Sequence, residues 1–172
     1  MIWILLGVVA LFGVSLLFYM YNQATQENIM EQTLAFPDFP HSFGKIRIFF
    51  ISDIHKRKIN SEFIDKISSI DLVIIGGDLT EKKVPFKQVT ENIKQLKKLG
   101  IVFFVWGNND YEVDYHELDS LLLQHGVKIL DNSSYLFESE QGDLRELVGV
   151  DDMVHERDEL ETALEETKRD SF

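Results

Sequence analysis

Apolar and polar positions divide this chain into three stretches. Residues 2–21 are almost continuously hydrophobic, dominated by Ile, Leu, Val, Phe and Trp, and carry no charged side chain. Residues 22–44 are polar and are punctuated by Pro37 and Pro40. Beyond Gly44, short apolar runs alternate with longer amphipathic ones. Twenty residues in a helix, at 1.5 Å each, reach ~30 Å, the thickness of a bilayer's hydrocarbon core. Trp3 at one end and Phe18, Tyr19 and Tyr21 at the other match the aromatic belts of membrane interfaces. The first stretch therefore predicts a transmembrane anchor over residues 1–21. A cleaved signal peptide would need a basic n-region and a small-residue cleavage site, and the sequence around Ala24 supplies neither convincingly. Residues 22–44 read as a tether, partly extended by its prolines.

In the third stretch, run length and periodicity predict a strand at 46–51 and a helix at 61–69 with Phe63, Ile64 and Ile67 as its stripe. A strand at 72–75 follows, then a helix at 85–99 with Pro85 in its first turn, Ile93, Leu96 and Leu99 on one face and Gly100 as its stop. Next come a strand at 101–105 and a helix at 115–125 carrying Leu118, Leu121 and Leu122 and closing at Gly126. This alternation specifies a parallel α/β sheet. Short strands at 127–130, 134–138 and 146–150 follow, with Gly142 marking a turn and 134–138 placed to begin another sheet. A last helix at 155–168 has the thin stripe Leu160, Ala163 and Leu164.

Charge narrows the function. The chain of 172 residues has a formal net charge of −12, from 29 acidic and 17 basic residues. Such a surface is the opposite of one built to neutralise phosphates, so nucleic-acid readout is excluded. Much of the excess is local, with 13 acidic and 4 basic residues between 138 and 172. No cysteine is present, which removes disulfides, thiolate metal sites and cysteine nucleophiles. The first Lys or Arg is Lys45, so the positive-inside rule has little to act on, and the lack of basic residues after the anchor leans toward an extracytoplasmic domain.

Each of the first three predicted strands ends in polar residues, at the sheet edge where open α/β folds bind ligands. The clusters are Asp53-Ile54-His55, Gly76-Gly77-Asp78 and Gly107-Asn108-Asn109-Asp110. Alternate residues at an extended strand end point the same way, so Asp53 and His55 can share one cation. The glycines admit tight turns that bring Asp78 and Asn108 to the edge. Polar caps on any single strand are unremarkable in an α/β protein. Jointly they are not, because spacings of 25 residues from Asp53 to Asp78 and 30 from Asp78 to Asn108 each equal one βα repeat. The donors are oxygen and nitrogen without sulfur, a set suited to manganese, iron or zinc. A mononucleotide fold is set aside, since neither Gly-x-Gly-x-x-Gly nor a Walker lysine follows Gly76-Gly77.

With these motifs in this order, the chain resembles the calcineurin-like metallophosphoesterases, of a membrane-anchored bacterial type, over residues 45 to about 152. The resemblance implies the N-terminal half of an α/β/β/α sandwich, preceded by one transmembrane helix, with residues 45–172 a partial metallophosphoesterase domain. It implies two divalent metal ions: Asp53 and His55 on the first, Asp78 bridging, and Asn108 on the second. Catalytic roles pass to Asp78, Asn109 and Asp110. The family has histidine where this chain has Asn109, and an amide cannot act as a general acid near neutral pH, which shifts the expectation toward phosphodiesters or phosphoanhydrides. Family members continue to an isolated histidine ligand and a Gly-His-x-His motif, absent here. His116, His125 and His155 sit on or beside predicted helices and read as surface residues. The expectation is thus a C-terminally truncated chain with an incomplete second metal site, impaired catalysis and an apolar sheet face left bare. Its partners are the membrane, through the first helix, and a phosphorylated small-molecule or lipid-linked substrate. The rival expectation is a non-catalytic, membrane-tethered remnant that binds a partner.

Overall fold

The computed structural model describes residues 2–25, 28–165 and 167. They form two units, Met1–Pro37 and Asp38–Phe172. In the first, helix α1 (Ile2–Thr25) has 24 residues and a length of ~36 Å at 1.5 Å per residue. Its segment Ile2–Gln23 is long and apolar enough to cross a membrane. Ser15 returns its hydroxyl to the Leu11 carbonyl at 2.9 Å, so even this polar group is satisfied within the helix. The helix runs past residue 21 because residues 22–25, though polar, contain nothing that breaks it.

The second unit is built on four parallel strands in the order β1 (Ile48–Ile51), β2 (Leu72–Gly76), β3 (Ile101–Val105) and β4 (Lys128–Ile129). Their registers align Ile51 with Ile75 and Ile75 with Phe104, so the first three strands end level. Helices α2 (Ser61–Ile64), α3 (Phe86–Leu96) and α4 (Tyr115–Gln124) supply the crossovers. Val73, Ile75, Val102 and Phe104 pack with Val89, Ile93, Leu96, Leu118 and Leu122 in the main core. Both faces of β2 and β3 are covered, which is why those strands read as unbroken apolar runs.

The opposite face is covered in part by an antiparallel hairpin of β5 (Ser133–Glu138) and β6 (Leu144–Gly149). Phe103 meets Tyr135 at 5.0 Å and Phe137 at 5.8 Å between ring centroids, with Leu72 and Leu130 alongside. The expectation of a bare face is therefore corrected. The hairpin shields it over β3, while Ile48 and Phe50 of β1 stay 53% and 62% exposed.

Three other expectations change. The helix expected at 61–69 is a single turn: Asn60 caps it by accepting from Phe63 N at 2.7 Å. The chain then tightens through Lys66 N to Phe63 O and Ile67 N to Ile64 O, and Ser69 adopts left-handed backbone (φ 58°). The final helix α5 spans only Leu160–Glu165, because Asp152 captures the backbone of Val154 and His155 and Asn132 accepts from Glu159 N. Residue 168 lies outside the described residues. Residues 38–44, expected as the end of a tether, bond to the hairpin: Ser42 donates to Asp143 at 2.5 Å, and Arg145 donates to the Asp38 carbonyl at 2.8 Å.

Candidate metal centre

The three polar clusters occupy adjoining loops at the carboxyl ends of β1, β2 and β3. The first loop is laced to the second by backbone bonds from Asp53 N to Gly77 O (3.3 Å), Ile54 N to Asp78 O (2.8 Å) and His55 N to Asp78 O (3.1 Å). Ile54 is buried in the main core between two polar neighbours, which leaves Asp53 and His55 on the outer side. Asp53, His55 and Asp78 all hold positive φ, at 53°, 49° and 55°. Left-handed backbone at a non-glycine residue costs on the order of 1–3 kcal/mol and persists only where surrounding structure enforces it. Of the seven described non-glycine residues with positive φ, three are the three candidate ligands.

One potential ligand atom from each of these three residues lies within 4.8 Å of the other two. His55 Nε2 is 3.7 Å from Asp53 Oδ1 and 3.9 Å from Asp78 Oδ2. Donors around a four-coordinate ion at about 2.1 Å are ~3.4 Å apart, and the two His55 pairs lie only a few tenths of an ångström outside that spacing. With two carboxylates and one imidazole, the residues fit a manganese, iron or zinc ion. Asp53 is 69% exposed at its side chain and Asp78 only 15%, so the site opens to solvent on the Asp53 side.

Asp78 is the most constrained of the three. Its Oδ1 accepts from Asn109 N at 2.9 Å and its Oδ2 from Asn109 Nδ2 at 3.2 Å. Gly107 packs against it so closely that a Cβ there would lie 3.0 Å from Asp78 Cγ and nearer still to its amide nitrogen and Oδ1. Asn108 opens a 3-10 turn over Asn108–Glu112, with its amide donating to Asn109 Oδ1 at 3.1 Å. Asp110, in the same turn, has no exposed surface. Its Oδ2 accepts from Asp78 N at 2.8 Å and Gly107 N at 3.0 Å, and its Oδ1 from Thr80 N at 2.9 Å. Burial pushes the Asp110 carboxyl up to about 7, against the pull of these three donors. With both oxygens engaged by backbone, Asp110 holds the second and third loops together, and the expectation of a reacting group is revised to a positioning one.

Glu81 is not singled out by the sequence pattern, although a carboxylate three positions after Asp78 was there to be seen. Its Oε2 lies 3.1 Å from His55 Nδ1 and its Oε1 2.5 Å from Lys56 Nζ. The hydrogen bond from Lys56 holds Glu81 below the usual carboxylate range. A second cluster, also not singled out, pins the chain after β6 to the turn after β3. Buried Asp151 accepts from the Tyr111 hydroxyl at 2.7 and 2.8 Å and from Arg157 Nε at 2.7 Å. Burial, with Asp151 beside it, raises the Tyr111 phenol well above its ordinary range. The late histidines stand apart from the triad: His155 bonds Asp152 at 2.5 Å, His116 lies against the Tyr115 ring, and His125 caps α4.

The chain is 42% identical over 167 residues to a protein of Bacillus subtilis (strain 168), YpbG, described as uncharacterized; the match takes in 93% of this chain and 62% of that protein's length. Among solved structures, the phosphopantetheinyl hydrolase PptH of Mycobacterium tuberculosis matches 60% of this chain and 41% of its own, at 18% identity and a TM-score of 0.45. The model of the calcineurin-like phosphoesterase family matches residues 46–166, and with the mixed α/β topology and metal-compatible triad in place, the chain belongs to that family.

Proposed function

We propose that this chain is a membrane-tethered, metal-dependent hydrolase of phosphodiesters or phosphoanhydrides, acting on a phosphorylated small molecule or a lipid-linked substrate, with turnover impaired by a sparsely ligated second metal position. The observation that carries this reading is the convergence of Asp53, His55 and Asp78 at the ends of parallel strands. In it, residues 1–21 are the anchor, 22–44 the tether, whose last residues 38–44 dock on the hairpin, and 45–172 the catalytic domain on the outer face of the membrane.

Asp53, His55 and Asp78 would hold one divalent ion, and Asp78 with Asn108, a neutral oxygen donor, would hold a second. Bound ions of this kind polarise a phosphoryl oxygen and lower the pKa of bound water to near neutrality. Asn109, donating through backbone and side chain to Asp78, fixes that carboxylate and offers substrate a hydrogen bond but no proton. Asp110 keeps Asp78 in place from beneath. The second ion has only Asp78 and Asn108 among the described residues, which supports weak occupancy and slow chemistry.

The test is manganese calorimetry on the full chain in detergent, followed by hydrolysis of a chromogenic phosphodiester by the chain and its Asp78→Asn variant. One weak site with little or no turnover is expected. Two tight sites, or metal-dependent turnover abolished by Asp78→Asn, would overturn the impairment; no binding at all would sink the metal reading. That last result would favour a non-catalytic protein whose exposed Ile48 and Phe50 meet a partner.

A further inference from the structure

Neutral imidazole has one nitrogen that donates and one that accepts, and only the accepting nitrogen can bind a metal. Which one accepts is set by the partner of the other. In His55, Nε2 is the nitrogen that faces Asp53 and Asp78, and Nδ1 faces away from them toward Glu81 and Asn109. These two neighbours make opposite demands. A carboxylate oxygen of Glu81 only accepts, so at 3.1 Å it requires Nδ1 to carry the proton. The Asn109 amide nitrogen only donates, so its 3.4 Å approach would ask Nδ1 to be bare. Distance favours Glu81, and Asn109 Nδ2 already has an acceptor in Asp78 Oδ2 at 3.2 Å. Glu81 is itself braced, since Lys56 Nζ grips its other oxygen at 2.5 Å.

We infer that Glu81, steadied by Lys56, is the positioning residue for His55: it keeps the imidazole proton on Nδ1 and so presents the Nε2 lone pair to the metal position between Asp53 and Asp78. This rests on the metal reading of the triad. Partners of this kind, one shell outside a ligating histidine, are worth about 10- to 100-fold in metal affinity. Without Glu81, the remaining neighbour at Nδ1 is the donor Asn109, and an imidazole left to itself prefers the proton on Nε2. The tautomer would then reverse and close the ligand nitrogen.

The experiment uses the full chain in detergent, labelled with 15N-histidine, metal-free and at a pH well above the imidazole range. Long-range proton–nitrogen spectra report which ring nitrogen of His55 is protonated, with His55→Gln assigning its signals. Wild type should show the Nδ1-protonated form and Glu81→Ala the Nε2-protonated form, with zinc affinity by calorimetry falling roughly 10- to 100-fold. Glu81→Gln, whose amide oxygen still accepts, should keep the wild-type tautomer and most of the affinity. Unchanged signals from the other histidines establish that a variant is folded. The inference is overturned if Glu81→Ala keeps the wild-type tautomer, if its tautomer reverses without loss of zinc affinity, or if Glu81→Gln behaves as Glu81→Ala does. Failure of wild type to bind zinc would defeat the metal reading instead, while the metal-free spectra would still decide whether Glu81 holds the proton.

Discussion

Replacing Gly107 with alanine is the sharpest test of how the site is built. The backbone there has φ −117°, which any residue adopts, so the substitution carries no conformational strain and its effect is purely one of space. The added Cβ would stand 3.0 Å from Asp78 Cγ and closer to Asp78 N and Oδ1, where ordinary contact begins at 3.4 Å. Backbone cannot swing aside as a flexible side chain does, so the loops after β2 and β3 must part by on the order of 1 Å, at the ~1–3 kcal/mol typical of overpacking. The parting strains the bonds from Asp78 N and Thr80 N to Asp110 and moves the Asp78 carboxylate relative to Asp53 and His55. Both stability and metal affinity should therefore fall: the melting temperature by roughly 3–10 °C for a globular unit of this size, and manganese affinity by at least tenfold. Gly126→Ala is the control. It sits at φ +67° with only Lys97 Nζ in contact range at 3.5 Å, so it should cost about 1 kcal/mol through backbone strain and leave metal binding alone. Thermal melts with and without metal, beside calorimetry, read both quantities. If Gly107→Ala matched wild type in melting and affinity, close packing of Gly107 on Asp78 would not be what positions the carboxylate.

Asp110→Asn should destabilise the metal-free protein by about 1–3 kcal/mol, because an amide satisfies at most two of the three backbone donors and turns its own NH2 toward the third. An unchanged denaturant midpoint would contradict that. Tyr111→Phe should cost about 1.5–3 kcal/mol, the worth of a hydrogen bond to a buried carboxylate, without altering zinc affinity, and calorimetry beside the melt separates the two. Deleting residues 2–25 should move the expressed protein from the membrane fraction to the soluble one; continued sedimentation with membranes would assign attachment elsewhere.

The strands of the main sheet were legible because β2 and β3, buried on both faces, need apolar residues at every position, and such runs stand out from amphipathic surroundings. Helix ends were less legible. Phe63, Ile64 and Ile67 have helical spacing, yet the chain leaves the helix after Ile64, a choice made by local turn bonds that the spacing does not encode. Asp53, His55 and Asp78 could be singled out because polar residues recur at one point of each βα repeat. The roles of Asp110 and Glu81 could not. Two carboxylates in similar sequence surroundings differ only in what faces their oxygens: backbone N–H groups in one case, a histidine and a lysine in the other. Left-handed backbone at three non-glycine residues was equally hidden, since the familiar signal for that conformation is glycine.

That backbone has an energetic consequence for the site. Asp53, His55 and Asp78 each occupy a conformation costing on the order of 1–3 kcal/mol, and in the metal-free chain the opposing forces are the interloop bonds and the burial of Ile54. An ion bound by all three adds stability of RT ln(1 + [L]/Kd), on the same scale as the strain once its concentration exceeds Kd a hundredfold. Metal binding by this triad would thus be coupled to folding through the same three residues. Asp78 is the node, since the first loop bonds to its carbonyl, the third loop donates to its carboxylate, and Asp110 accepts from its amide. Displacing Asp53 disturbs one candidate ligand that is largely solvent-exposed. Displacing Asp78 disturbs the packing of three strand ends, so the residue proposed to bridge two ions is also the one whose position the fold specifies most tightly.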